Sequence, residues 1–492
     1  MASFKRIISG TTAGLTRNFF NLIIILVSLP IYLSFWSLEL YGIWVLIFSL
    51  VSLINLPTSN YLEYLQNEFL RNGTKNKLGI SKIIFGSISI ILLIKFFTLI
   101  IFLIIIKYYP NFEFININQK YFNILKISIF FLIASDIIAC VVGVLHRALY
   151  PFNYYPKIQW IGLIIALLIP TIQIIGLFYG FEIIELSIAT FVIGNLLNFF
   201  YLIYTITLVK EIKIKYKGFY FNKNLKHFFN SFYLLLGNVA HLLKNEGSRI
   251  VILPFVGTVQ LVTYVTIRTA NNFMKQLFSS FSNSFLMEYA DNINKKNKKK
   301  FINSYKIYYL ILNSLIAPIA FIFQIIASDL FQIWTKNKIE FDPILFASIT
   351  AAFLIMIFYT PGFLVIQSKN LFKEDLKISI ITSILFIISF MTLVNEYSIR
   401  GAGFALIFIE LITGALIFYT SNKWLKKNLV KFNNKLLFIS FLDLLISIIF
   451  IFLYAYNIDC YYLTLILLFI IYKSIFIIYH SELFNIRRYL SV

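Results

Sequence analysis

The stretch HLLKNEGSRIVILPFVGTVQLVTYVTIRTANN, His241 to Asn272, makes two demands at once. Most of it is an apolar run suited to lipid, where a helix of about 20 residues satisfies its own backbone N–H and C=O groups. Yet it also carries Lys244, Asn245, Glu246, Arg249, Arg268 and Asn272. Charged side chains inside a membrane bundle need a partner, a cavity or a route to the interface. Working outward, the same apolar character extends over the chain: 492 residues, 60% hydrophobic, 18% aromatic and 13% charged, with mean hydropathy +0.83. That balance is outside the range of a soluble domain. Alternating ten-residue strands are absent, so the expected fold is an all-α polytopic membrane protein rather than a barrel.

Fourteen spans are expected. The first six are Leu15 to Leu33, Tyr41 to Gln66, Ile83 to Ile106, Phe122 to Leu145, Ile158 to Phe178 and Ile183 to Val209. A second six are Ser231 to Leu253, Val259 to Leu286, Phe301 to Ala327, Pro343 to Ile366, Leu376 to Val394 and Gly401 to Ser421. A final pair is Leu436 to Tyr456 and Tyr461 to His480. The corresponding organisation is an N-terminal six-helix lobe (1–209), a basic linker (210–229), a C-terminal six-helix lobe (230–421), a second basic linker (422–435), and a helix pair with its tail (436–492). No small-residue cleavage site follows the first apolar run, which is therefore read as an uncleaved span.

This alternation puts most Lys and Arg on one side, including the 210–226 cluster, KKNKKK at Lys295 to Lys300, and Lys423 to Lys435. The other side holds Lys107, Lys120, Lys336, Lys338 and Arg400. Basic loops stay cytoplasmic, so both termini are expected inside the cell, and the net charge of +22 is chiefly a topology signal rather than a nucleic-acid surface. The outer loops are too short to form a catalytic domain. Cys140 and Cys460 are isolated and the four histidines scattered, so neither a disulfide framework nor a metal site is expected.

The intramembrane cations are Lys95, Lys126, Lys244, Arg249, Arg268, Lys275, Lys306 and Lys473, with Arg17 at the end of the first span. Lys126 and Lys306 lie close enough to helix ends to snorkel. At a rise of 1.5 Å per residue, Lys95 and Asp136 fall at similar depth in one hairpin, and Asp443 and Lys473 in another, so two ion pairs are expected. At 100° per residue, Asn238, His241, Asn245, Ser248 and Arg249 share a stripe with Lys244 on its flank, and Glu246 can reach Arg249 at i and i+3. Arg268, Asn272, Lys275 and Ser279 repeat the pattern on the next span. Ser49, Ser52, Ser59, Asn60, Glu63 and Asn67 share a face on the second span, across a kink at Pro57, and Arg17, Asn21 and Ser28 align on the first. Interhelical hydrogen bonding accounts for the hydroxyls and amides. The cations require more, and a hydrated cavity of net positive charge, attractive to an anion such as phosphate, meets that requirement.

Pro30 lies eleven residues before Tyr41 and Pro254 ten before Tyr264, a weak repeat between the blocks. The segments SLELYGIWVLIFSLVSLINL (Ser37 to Leu56), RIVILPFVGTVQLVTYVTIRTANN (Arg249 to Asn272) and SIRGAGFALIFIELITGALIFY (Ser398 to Tyr419) make the chain resemble the polysaccharide and O-antigen translocases of the multidrug/oligosaccharidyl-lipid/polysaccharide (MOP) flippase superfamily. It departs from them in having Ser248 where many carry Asp, and in lacking a proline in SNSFLMEYA. The resemblance implies a V-shaped pair of lobes, a cationic central cavity, and a helix pair that helps house a lipid tail. It implies a cytoplasmic-membrane flippase, not an enzyme, for polyprenyl-diphosphate-linked oligosaccharide, with a polysaccharide polymerase and a chain-length regulator as candidate partners. Arg17, Lys244, Asn245, Arg249, Arg268, Asn272 and Lys275 are then the expected substrate-binding residues, and Glu63, Lys95, Asp136 and Glu246 the coupling or ion-pair candidates. No cofactor is expected beyond a coupling proton or sodium ion. The alternatives are a MATE-type cation or drug antiporter, which wants acidic groups in an apolar pocket, and a polysaccharide polymerase or membrane acyltransferase, which wants a large outer loop or a His/Asp cluster.

Overall fold

The computed structural model describes residues 16, 20, 23–24, 26–72, 76–108, 119–152, 154–214, 220–242, 247–294, 298–368, 371–427, 434–456 and 462–479. Among these the regular structure is helical: α1 (Leu26–Phe35), α2 (Leu38–Ile54), α3 (Leu56–Asn72), α4 (Lys77–Tyr108), α5 (Phe122–Leu149), α6 (Tyr155–Phe178), α7 (Ile183–Glu211) and α8 (Phe221–Leu242). The chain continues through α9 (Ser248–Asn294), α10 (Lys298–Ile311), α11 (Ala317–Thr335), α12 (Pro343–Ser368), α13 (Phe372–Lys427), α14 (Asn434–Tyr456) and α15 (Tyr462–Tyr479). Nine helical stretches among the described residues are long and apolar enough to cross a membrane, and a tenth is made if the bent pair α2–α3 counts as one.

Two of the longest helices are interrupted. In α9, Gly257 adopts φ 80°, ψ 177°, and in α13, Ser398 adopts φ 53°, ψ −139°. Each break falls where the apolar pattern ends one span and begins the next. Gly257 takes positive φ without a Cβ clash, whereas Ser398 is a non-glycine residue in sparsely populated space. Beyond Ser398 the chain turns so tightly that a Cβ on Gly401 would sit 1.9 Å from the Leu393 carbonyl oxygen. The bend expected at Pro57 lies two residues earlier: α2 and α3 meet at 50° at Asn55, and Pro57 occupies the first turn of α3, where its missing N–H costs no helical bond.

The described helices gather into two compact units, 1–259 with 334–336, and 260–333 with 337–492. In the first, α5 packs against α2, α3, α4, α6 and α7. Tyr61, Leu65 and Phe69 of α3, Ile83, Ile84 and Ile91 of α4, and Val144, Ala148 and Leu149 of α5 form its core. α8 begins at Phe221, inside the stretch expected as a linker, and packs on α3 and α4. Its Asn224 holds it there: Nδ2 donates to the Lys82 carbonyl at 3.0 Å, and Oδ1 accepts from Ser87 at 3.2 Å.

In the second unit α12 packs between α13 and α14. Pro361 has no N–H to give the Ile357 carbonyl, and the buried Tyr308 hydroxyl donates to that oxygen instead, at 3.1 Å. Tyr309 donates to the next carbonyl, Phe358, at 3.0 Å. A π-helical turn, Leu312–Ile316, joins α10 to α11. The expected pair of Asp443 and Lys473 is present, with Nζ 2.8 Å from both carboxylate oxygens, and Lys473 also donates to the Asn313 carbonyl in the π-turn at 3.2 Å. That ammonium therefore joins the final helix pair to the body of its unit.

Candidate functional site

The described cations that were expected to attract an anion fall in both units. In the first, Arg249 opens α9, is half-buried, and directs Nη1 towards Ser49 Oγ at 3.5 Å. Ser49 is fully buried on α2 and donates to the Val45 carbonyl at 3.0 Å, so the guanidinium rests against the polar side of α2. Of the face drawn across the second span, Ser52, Ser59, Glu63 and Asn67 are exposed, before and after the 50° bend at Asn55, while Ser49 and Asn60 turn inward.

In the second unit α9 presents Arg268, Asn272 and Lys275 along one side, the first half-buried and the other two exposed. Tyr264, Ile267, Asn271 and Met274 turn into the core. Arg268 Nη1 donates to the Tyr264 hydroxyl at 2.7 Å, and the guanidinium carbon lies 5.7 Å from that ring's centroid. Tyr264 is itself completely buried against Phe390. The arginine thus has a fixed neighbour one turn back on its own helix, which limits the orientations of its head. Asn271 ties the inner side of α9 to α12 by accepting from Thr350 at 2.8 Å. Arg17, Asn21, Lys244, Asn245 and Glu246 lie outside the described residues.

Lys95 and Asp136 come together, though not directly as expected. Lys95 is 1% exposed, and its Nζ donates to Asn55 Oδ1 at 2.6 Å. The Asn55 amide donates in turn to the Asp136 carboxylate. Asn55 stands at the junction of α2 and α3, so one side chain bridges two charges at a helix break. Depth arithmetic identifies the charges but not the bridge, since angular projection along a helix stops being valid where the helix bends.

Glu410 was not among the residues expected from sequence. It is half-buried in α13 and accepts the hydroxyl of the buried Tyr359. A lone carboxylate within the apolar run Gly401 to Ser421 is the signal that could have found it. Beside this pair a groove of about 390 Å³ runs between α12, α13 and α14, lined by Phe358, Leu411, Phe418, Phe438 and Phe441 among others. Nearly all of its wall is apolar.

No protein-family model and no curated protein sequence matches the chain. Solved structures do. The chain is similar to the lipid II flippase MurJ in an inward closed conformation, at 19% identity over 95% of this chain and 99% of that one, with TM-score 0.62. It is similar to an inward-facing multidrug resistance MATE family transporter of the MOP superfamily, at 12% identity over 84% of this chain and 95% of that one, with TM-score 0.64. A MOP superfamily transporter from Pyrococcus furiosus matches at 13% identity over 86% and 94%, with TM-score 0.51. At these identities the shared property is the fold. The chain therefore has the fold that these flippase and transporter structures share.

Proposed function

We propose that this protein is a flippase that moves polyprenyl-diphosphate-linked oligosaccharide, of the kind used for O-antigen, capsule or a related surface polysaccharide, from the cytoplasmic to the outer leaflet of the cytoplasmic membrane. The physical problem is to carry a diphosphate and sugars past hydrocarbon, where each unsatisfied polar group is costly. A hydrated path opening alternately to the two sides, through fourteen spans with both termini inside, solves that problem while the prenyl chain stays in lipid. The observation that carries the reading is Arg268, Asn272 and Lys275 along one side of α9, in a chain whose fold match to a lipid II flippase extends over 95% of its length. Guanidinium and ammonium groups suit phosphate oxygens, and an exposed amide suits sugar hydroxyls. Arg249, Arg17, Lys244 and Asn245 are assigned to the same task. The apolar groove beside α14 suits a prenyl segment.

The same fold serves MATE family transporters, whose match covers 84% of the chain. A half-buried carboxylate beside an apolar groove, Glu410 with Tyr359, is the feature that favours that reading. Depletion of the protein distinguishes the two. Build-up of lipid-linked oligosaccharide on the cytoplasmic leaflet supports the flippase, whereas unchanged glycolipid with raised sensitivity to cationic drugs supports the antiporter. Exported but unpolymerised repeat units would point to a polymerase instead.

A further inference from the structure

The first unit holds a partly open cavity of about 400 Å³, different in chemistry from the groove of α12 to α14. Its wall runs along α5 from Asp136, through Cys140 and His146, to Arg147, and ends at Tyr150 and Gln159, where α5 turns into α6. Eleven residues separate Asp136 from Arg147, or about 16 Å along a helix axis, so the cavity links mid-helix depth to the helix ends. Asn55, Thr58 and Ser59 close one side and Asn198 and Tyr201 another, giving polar groups at intervals along the whole length. Arg147 Nη1 donates to the Gly143 carbonyl at 3.1 Å, while its Nε and the His146 Nε2 are buried with no hydrogen-bond partner among the described residues. Buried polar atoms beside a polar space of this size are ordinarily served by ordered water.

At the inner end of this path lies the bridge from Lys95 through Asn55 to Asp136. The charged and titratable groups around that carboxylate and its cavity are Lys95 from α4, Glu63 from α3, Tyr201 from α7, Cys140, His146 and Arg147 from α5 itself, and Tyr150 just beyond its end, while α6 contributes the neutral Gln159. A metal cation on Asp136 would lie one amide away from an ammonium, and like charges so placed repel. A proton meets no such obstacle, since it neutralises the carboxylate instead of adding a second cation to it.

We propose that this cavity is a water-filled proton path from the face carrying the α5–α6 turn to Asp136, and that Asp136 is the group through which a proton gradient acts on the protein. A proton delivered through the cavity binds a carboxylate oxygen, leaves the Lys95 charge uncompensated, and weakens the charge-assisted hydrogen bond that fixes Asn55 at the α2–α3 junction. Occupancy of one carboxylate thereby bears on the bend of the helix pair that borders Arg249. Such a path supplies an energy source for the proposed transport but is tested without any cargo, so its failure and that of the flippase reading are distinguishable.

Cys140 is a native probe of the path. In a Cys460→Ser protein it is the one remaining thiol, and a triple variant, Cys140→Ser, Cys460→Ser, Lys157→Cys, marks the face of the α5–α6 turn. A small, charged, membrane-impermeant thiol reagent applied to sealed vesicles of both orientations should modify Cys140 from the same face that gives reaction in the triple variant. Difference spectra of purified protein, parent minus Asp136→Asn, should also show an infrared band of one protonated carboxyl group that grows as pH falls, the bands of the other Asp and Glu side chains cancelling. Inertness of Cys140 from both faces, or reaction from the opposite face alone, overturns the path. Absence of the band from that difference at every pH overturns the assignment of the proton. Asp136→Glu should restore the band, which separates loss of the acid from misfolding.

Discussion

Tyr308 shows how much one hydroxyl can matter in an apolar interior. It serves the Ile357 carbonyl that Pro361 leaves without its helical donor, at a position with no access to water. Tyr308→Phe should lower stability by roughly 1 to 3 kcal/mol, the cost of a buried acceptor left unpaired. Thermal unfolding in detergent measures this, and the loss should shrink in a Pro361→Ala background, where residue 361 regains its N–H. Arg268 belongs to a different category. Its head is half-buried against the Tyr264 ring and hydroxyl one turn back on its own helix, and Arg268→Ala is expected to insert and fold normally. Its transport rate should fall roughly tenfold, the worth of a charged hydrogen bond of about 1.5 kcal/mol, and a Lys275→Ala change should add to the defect. Normal transport by the double variant would remove both residues from the mechanism.

Whether a contact between elements could be read from sequence depended on whether the helices stayed straight. Asp443 of α14 and Lys473 of α15 face one another, and counting residues was enough to pair them. Lys95 and Asp136 also share a depth, yet Asn55 joins them from a junction that no helical wheel represents. The stripe of Arg268, Asn272 and Lys275 lies along one side because α9 is regular there. Lys473→Ala should destabilise by roughly 3 to 5 kcal/mol, since it strands a buried carboxylate, whereas Asp443→Leu with Lys473→Met should recover most of the loss. Denaturation in detergent tests both, and equal damage from single and double variants would mean that the pair does more than pack. Gly401→Ala places a methyl group against the Leu393 carbonyl, and a cost of about 3 kcal/mol or failure to accumulate in the membrane is expected.

At the scale of the molecule, composition and basic-loop asymmetry point to a polytopic helical bundle, and the chain shares its fold with solved flippase and transporter structures. The compact units of the described residues part at 259 and 260, and α8, which begins within the basic stretch, belongs to the first, where Asn224 holds it against α4. The transport claim rests on cations that welcome a diphosphate, and it is most directly tested with purified protein in liposomes containing a fluorescent polyprenyl-diphosphate oligosaccharide. An impermeant quencher or glycosidase then reports which leaflet holds the sugar. Protein-containing vesicles are expected to expose inner-leaflet glycolipid far faster than empty ones, and the Arg268→Ala, Lys275→Ala variant to lose most of this gain. Equal rates with and without protein, or a double variant as fast as the parent, would contradict the flippase reading.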